Sequence, residues 1–413
     1  MTAERMTGEL DDDLLSPAAV ADPYPLLDAL REHDPVHWSP RYRSWIVTRF
    51  DDVTSALRDP RFSSDRITPF VQAKLTGPDA DPALQDTFSV LATWMVFKDP
   101  PDHTRLRRLL RRAFTPRAVE SLRPSVAALT DRLLDEVIEA GGADLLRSFA
   151  YPLTASVVAE MLGVPERDRQ LFKDWSEAIT PLVFAGLDTE GRYERGTRGM
   201  LELRDYLAEL AGRMRDQPGE NLLSALVQAR DEGDALTHDE VVGTAVLLLF
   251  AGHETTTNLI ASGLLALLRH PEQRALLESG AAPLDGAVEE LLRYDGPAKT
   301  IVRVMSEDVE LRGRILVAGQ RVFLCPASAS RDPEVFARPG ELDLQRTEDQ
   351  HVGFGFGLHY CLGAPLARLE AGIAIPAALR RLPHVRLDPD AELTWQPVLI
   401  SRGLTALPVV FGP

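Results

Sequence analysis

Between Ala118 and about Leu276 apolar side chains recur three and four positions apart, the spacing that lines one face of a helix, and this stretch is predicted to be almost wholly helical. Within it Thr237 and Glu240 have the spacing of a capping box, each side chain accepting the other's free backbone N–H. The periodic segment they open runs to His270, where Pro271 removes the donor that a continuing helix needs. A helix of that length crosses a whole domain. Two further helices are predicted over Leu284–Tyr294 and Ala364–Arg381. Strand-like runs are short. Two lie between Val36 and Phe50 around a turn at Ser39–Tyr42, followed by a helix with Asp51 as its N-cap. Others are Ile301–Val304, Val309–Leu311 and Arg321–Leu324. Proline and glycine then dominate to Gly363, and the tail from Val385 to Val410 reads as loops and short strands. The predicted class is mainly α with a minor β portion drawn from both ends of the chain.

No Gly/Ser-rich or Pro-rich linker divides the 413 residues, so residues 1–413 are expected to form a single domain despite a length above the usual single-core size. Hydrophobic residues make up 45% of the chain, ample for a large core. The longest apolar run, Val241 to Gly252, is shorter than the ~20 residues that span a bilayer. The acidic start, Met1–Asp13, has neither the basic nor the apolar region of a secretory signal, so a cytoplasmic protein without a membrane is expected. Two cysteines in very different settings argue against a disulfide framework. A net charge of −17 makes nucleic acid a poor partner. Against that background Arg105, Arg107, Arg108, Arg111, Arg112 and Arg117 crowd one short segment, which is either a solvated basic helix face or a site for an acidic partner.

Most of the chemical information lies in Phe354–Gly363, FGFGLHYCLG, a glycine-rich loop that delivers Cys361 to the start of the last helix. Glycines at 353, 355 and 357 permit positive backbone torsions and close approach of a flat ligand. A cysteine at a helix start has its thiolate stabilised by free N–H groups and the helix dipole, and such a thiolate is a good iron ligand. Cys325, in the apolar run VFLCPAS, lacks these features and is expected to be a buried structural thiol. A dinucleotide fingerprint fits poorly, because GFGFG has the wrong spacing for GxGxxG and no strand–helix–strand unit surrounds it. Zinc fits poorly too. His359 and Cys361 lie two apart without a second Cys/His pair, and Pro35 between His33 and His37 disfavours the helix that would align those two.

With Phe354, Gly355, Gly357, His359, Cys361 and Gly363 in place, the chain resembles the cytochrome P450 superfamily, whose haem-binding pattern is FGxGxHxCxG. The resemblance extends from DPYPLLDAL near the start to the terminal strands and is to the soluble bacterial, ferredoxin-dependent type. It implies heme b (iron protoporphyrin IX), with Cys361 on the iron, Phe354 packed near the sulfur and His359 hydrogen-bonded to a propionate. It also implies that His103 and Arg107, four apart in DHTRLR, together with Arg303, hold propionates through charge-assisted hydrogen bonds. Glu290 and Arg293 stand three apart in VEELLRY and can pair on one helix face. By themselves they would read as a surface salt bridge, whereas the resemblance implies a buried triad with Arg346 that braces the cysteine loop. Losing one partner of such a triad costs roughly 3–5 kcal/mol.

Inside the long helix, apolar VVGTAVLLLF gives way to AGHETTTN, polar where a core helix should stay hydrophobic. Threonine hydroxyls that bond the carbonyl one turn back distort helices, and such distortions collect at functional sites. Ala251, Gly252, Glu254 and Thr255 match the family pattern AGxET, which implies that Thr255 and Glu254 direct and relay protons where oxygen binds, while periodicity turns His253 elsewhere. Leu247, Phe250, Ala251, Lys299, Ile301, Val302, Leu399 and Ile400 are the predicted substrate-lining residues. All but Lys299 are apolar, so the expected substrate is a hydrophobic small molecule.

The implied activity is that of a monomeric monooxygenase of natural-product biosynthesis or xenobiotic oxidation. It inserts one atom of molecular oxygen into its substrate by hydroxylation or epoxidation. The chain carries no flavin, nicotinamide or iron–sulfur motif, so electrons are expected from a separate ferredoxin and ferredoxin reductase, with Arg105–Arg117 as the docking surface. A non-catalytic haem sensor and a peroxide-driven haem oxidase are the alternatives. Glu254 and Thr255 argue against the first, since a sensor has no use for proton delivery.

Overall fold

The computed structural model describes residues 10–76, 80–183, 191–231, 233–348 and 350–412. Residues 1–9 of the acidic start, and 184–190 and 232 of the helical stretch, lie outside them. The protein is mainly α with a minor β portion, as its periodicity predicts. Among the described residues no helix is long and apolar enough to cross a membrane.

The long helix runs from His238 to Arg269. Its capping box is formed: Thr237 Oγ1 accepts from the Glu240 N–H at 3.2 Å, and Glu240 Oε2 accepts from the Thr237 N–H at 2.8 Å. Buried residues lie all round it, as they must for a helix through the middle of a large core. The helices Tyr151–Met161, Arg192–Asp216, Leu284–Asp295 and Ala364–Arg381 all pack against it. Pro271 opens the next helix at a first-turn position, where its missing N–H costs nothing. The AGHETTTN notch does not interrupt the long helix, which stays continuous through it.

Strands from distant parts of the chain build one five-stranded sheet. Val36–Ser39 and Ser44–Val47 form the expected antiparallel pair, with Val36 opposite Val47, and the turn between them ends on Arg43 at φ 48°. Arg321–Leu324 lies parallel to Ser44–Val47, and Ile301–Met305 and then Phe62–Ser63 follow antiparallel. Val309–Leu311 pairs instead with Arg314–Leu316 in a separate hairpin. Asp51 is not an N-cap. The helix after the second strand begins two residues earlier than that cap implies, at Phe50, with Arg49 in the cap position, and its buried Phe50 N–H is taken by Asp332 Oδ2 at 2.9 Å. The cap is supplied from across the fold, so Asp51 falls in the first turn.

On the helix Leu284–Asp295, Glu290 holds Arg293 by two hydrogen bonds of 2.6 and 2.7 Å and accepts from Arg346 Nε at 3.1 Å. All three side chains are buried. Their remaining donors go to backbone carbonyls at Ser330, Ala337, Pro339 and Glu341, and the Asp343 N–H returns to Glu290. This charge cluster therefore ties the helix to the chain that precedes the cysteine loop, and every charged group in it is satisfied.

Candidate active site

Cys361 lies between a single tight turn, Gly357–His359, and the last helix, which begins at Ala364. Gly355 and Gly357 adopt φ values of 72° and 68°, left-handed conformations that a side chain would strain. The loop closes on itself where the Cys361 N–H donates to Phe354 O at 2.9 Å. Burial pushes the Cys361 thiol up, opposed by the N–H groups of Gly363 and Ala364 and by Arg107 and Arg368. Its sulfur nevertheless opens into a cavity, while protein surrounds it on the other sides. Cys325 has no such outlet. It is fully buried beside Phe323, and burial pushes its thiol to about 12.

The cavity, of about 390 Å³, has the cysteine loop and Leu366 and Ala367 as one wall and the long helix from Leu247 to Leu259 as the other. At one edge it meets a cluster of cations. Arg107 donates to Tyr360 O at 2.6 Å. Arg303 faces the same space, and Arg66 lies near it over the Phe97 ring. Neither Arg66 nor Arg303 has an ion-pair partner among the described residues. Burial, and for Arg66 the repulsion of Arg303, lowers each guanidinium to about 10. The His103 and His359 rings lie 4.0 Å apart. Burial and neighbouring cations push them down to about 4 and about 3, and both ring nitrogens of His103 are buried without a partner. His359 Nε2 meets Ser64 Oγ at 2.9 Å, and Asp99 fixes that corner by accepting from the Ser63 hydroxyl and the Ser64 N–H. Asp99 acts on Arg303 from that corner, but buried cations held together without ion-pair partners are costly. The arrangement therefore fits a group that brings anionic charge of its own.

Across the cavity, Thr255 Oγ1 donates to Ala251 O at 3.0 Å and Thr256 Oγ1 to Gly252 O at 3.1 Å. These are the back-bonds the sequence suggests, made without breaking the helix. A side chain at Gly252 would meet Val158 at 3.0 Å, so glycine lets the neighbouring helix close in. Glu254 is buried with Gln396 Nε2 at 3.5 Å. His253 turns away from the cavity, its Nδ1 bonded to Leu249 O at 2.7 Å and its ring edge-on to Tyr151.

Of the predicted lining residues, Leu247, Ala251, Ile301 and Ile400 face the cavity. Phe250, Lys299, Val302 and Leu399 do not, and the expectation is corrected for these four. Phe250 is one helix position too early and packs on Trp94, with ring centroids 5.9 Å apart. Val302 alternates with Ile301 and Arg303 and so points through the sheet to the small core around Leu27 and Phe323, where Leu399 joins it. Lys299 is buried, its Nζ donating to Leu14 O at 3.3 Å, and burial lowers its amine to about 8. Met95, Val96, Leu248, Ala298 and Thr300 complete the wall instead. Arg66 and Ser64 were not predicted as site residues, and nothing in the local sequence distinguishes them.

Fold and site together define a class of protein, one that sets a cysteine at a helix start against an apolar cavity edged by buried cations. A sequence model described as Cytochrome P450 matches residues 76–278 and 283–395. The Cytochrome P450 monooxygenase PikC of Streptomyces venezuelae is 44% identical over 97% of this chain and 94% of its own length. The 6-deoxyerythronolide B hydroxylase of Saccharopolyspora erythraea is 39% identical over 89% and 90%. Among solved structures, P450BioI in complex with an acyl carrier protein carrying hexadec-9Z-enoic acid has a TM-score of 0.88 at 34% identity, covering 96% of this chain and 99% of that one. CalO2 has a TM-score of 0.89 at 37% identity, covering 98% and 100%. The chain belongs to the cytochrome P450 family and is a monooxygenase, and the family implies a haem cofactor.

Proposed function

We propose that the protein inserts one atom of dioxygen into an uncharged, largely hydrophobic small molecule, with haem b held by Cys361, His103, Arg107, Arg303 and His359, and Arg66 behind them. The observation that carries this reading is the sulfur of Cys361 opening into an apolar cavity opposite Thr255, beside buried arginines without an ion-pair partner among the described residues. When bound, haem activates dioxygen and transfers one oxygen atom to the substrate. The chain's part is to position and to supply protons. Leu247, Ala251, Ile301 and Ile400 offer the substrate an apolar wall and exclude water from the reacting centre. Thr255 holds a hydroxyl proton at the cavity surface, parked on Ala251 O, and Glu254 behind it is the acid that renews it. Relatives named for a polyketide pathway and for 6-deoxyerythronolide B make a natural product of that kind the first class to test. Spectral titration of the ferric protein with polyketide-type and other neutral apolar compounds tests this. A preference for charged, hydrophilic compounds would overturn it.

We further propose that electrons come from a separate ferredoxin and its reductase, docking on the outer face of the helix Asp102–Ala113. Three observations support the outer face for this role. Arg107 turns inward, and Arg105 is committed to Asp234 and Glu240. Arg108 lies 3.9 Å from Asp234, and Arg111 and Arg112 are exposed on the last turn. Reversing charge at Arg111 or Arg112 is expected to lower ferredoxin-supported turnover several-fold, more at low salt than at high, and to spare peroxide-supported turnover. Equal loss of both activities would place the damage in haem binding instead.

A further inference from the structure

Glu289 is the neighbour of Glu290 on the helix Leu284–Asp295, about 100° further round it. Its partners flank the cysteine loop, His351 just before it and Arg368 on the helix that follows. It lines a polar cleft of about 480 Å³ together with His351 and Arg368. Its carboxylate accepts two hydrogen bonds from Arg368, of 2.6 and 2.8 Å, and meets His351 Nε2 at 2.9 Å. His351 Nδ1 accepts the Gly353 N–H at 3.1 Å, so that nitrogen carries no proton and Nε2 is the donor to Glu289. Arg368 reaches Tyr360 Oη at 3.2 Å and lies over the Phe354 ring, 4.6 Å from its centroid. Burial would raise the Glu289 carboxyl, but Arg368 and His351 outweigh it and hold the group at about 2.

One carboxylate thus grips both ends of the loop. Through His351 it fixes Gly353, where the loop opens. Through Arg368 it fixes Phe354 and Tyr360, and Tyr360 is the residue before the cysteine. The Glu290 cluster makes none of these contacts, since its bonds go to the chain between Ser330 and Asp343. We propose that Glu289 is a positioning residue for Cys361: it sets the direction in which the sulfur is presented and neutralises the Arg368 cation beside it. The proposal rests on the reading of Cys361 as the iron ligand.

The test compares Glu289→Gln, Arg368→Lys and Asp285→Asn with the parent holoprotein. Asp285→Asn is a control at the mouth of the same cleft. In Glu289→Gln the reduced carbon monoxide complex is expected to lose its thiolate-type band several-fold faster than the parent. The reduction midpoint should move upward, because an uncompensated cation favours the added electron, and amide exchange over residues 353–361 should rise several-fold. Arg368→Lys keeps a cation but cannot fork, and should show the same band loss and exchange, whereas Asp285→Asn should match the parent. Parent-like band lifetime and exchange in Glu289→Gln overturn the proposal. Should that variant fail to fold, the same result in Arg368→Lys overturns it. A parent protein with no thiolate band would instead remove the assignment of Cys361, and the exchange measurement would still decide whether Glu289 holds the loop.

Discussion

Cys361→Ser is expected to abolish the thiolate-type absorption of the reduced carbon monoxide complex, and monooxygenase turnover with it, whereas Cys325→Ser should keep both. The two cysteines differ in what surrounds the sulfur. Cys361 has the Gly363 and Ala364 N–H groups and the Arg107 and Arg368 charges acting in favour of its thiolate, and an opening onto the cavity. A serine oxygen there is a far weaker ligand, because its hydroxyl does not ionise near neutrality as a thiol can. Cys325 is sealed among Leu14, Leu27, Leu30 and Phe323, where burial keeps its thiol protonated. A hydroxyl in that core needs a partner, so Cys325→Ser should cost roughly 1–3 kcal/mol of stability and no chemistry. The measurement is the difference spectrum of each purified variant, with a thermal melt in parallel. A thiolate band that survives in Cys361→Ser and disappears in Cys325→Ser would reverse the assignment.

The parts of this site that were legible in the sequence are those whose constraints are local. The loop FGFGLHYCLG can be read because glycine, histidine and cysteine at fixed offsets answer to backbone torsion and to one helix terminus. The capping box at Thr237 and Glu240 can be read for the same reason. Asp51 misled because the helix starts earlier, at Phe50, whose N–H is satisfied by Asp332, from a segment far along the chain. Val302 could have been excluded by strand alternation alone, since it cannot share a face with Ile301 and Arg303. Lys299 could not, because its burial depends on Leu14, which tertiary folding alone brings to it. Arg66 and Ser64 follow the edge strand Phe62–Ser63, and only sheet pairing with Ile301–Met305 carries them to Arg303 and His359. Glu289 shows the same limit. Beside Glu290 in VEELLRY it reads as a surface carboxylate, and its partners His351 and Arg368 are more than 60 residues away.

Thr255→Ala is expected to go on consuming dioxygen and electrons but to release much of them as hydrogen peroxide, lowering product per reduced nicotinamide by roughly an order of magnitude or more. Two electrons and two protons convert dioxygen to peroxide. The same two electrons and two protons, with the oxygen–oxygen bond cleaved, give one oxygen atom to the substrate and one to water. Which outcome follows depends on where the second proton lands. Thr255 places a hydroxyl at the cavity wall, held on Ala251 O in the resting state by a bond weak enough to exchange for another acceptor. Removing it takes that hydroxyl from the apolar wall of Leu247, Leu248 and Ala251, so this donor no longer directs the second proton and peroxide leaves first. Thr255→Ser keeps the hydroxyl and should keep most of the coupling, which separates proton direction from the loss of a methyl group. Glu254→Gln should act differently. On the role proposed for Glu254, it removes the acid that renews the proton while leaving the hydroxyl in place, so turnover should fall and its solvent isotope effect should rise. Product, peroxide and reduced nicotinamide assayed together in the full electron-transfer chain distinguish these cases. Unchanged coupling in Thr255→Ala would show that this threonine is not the proton gate, and a group on the substrate itself would then have to direct protonation.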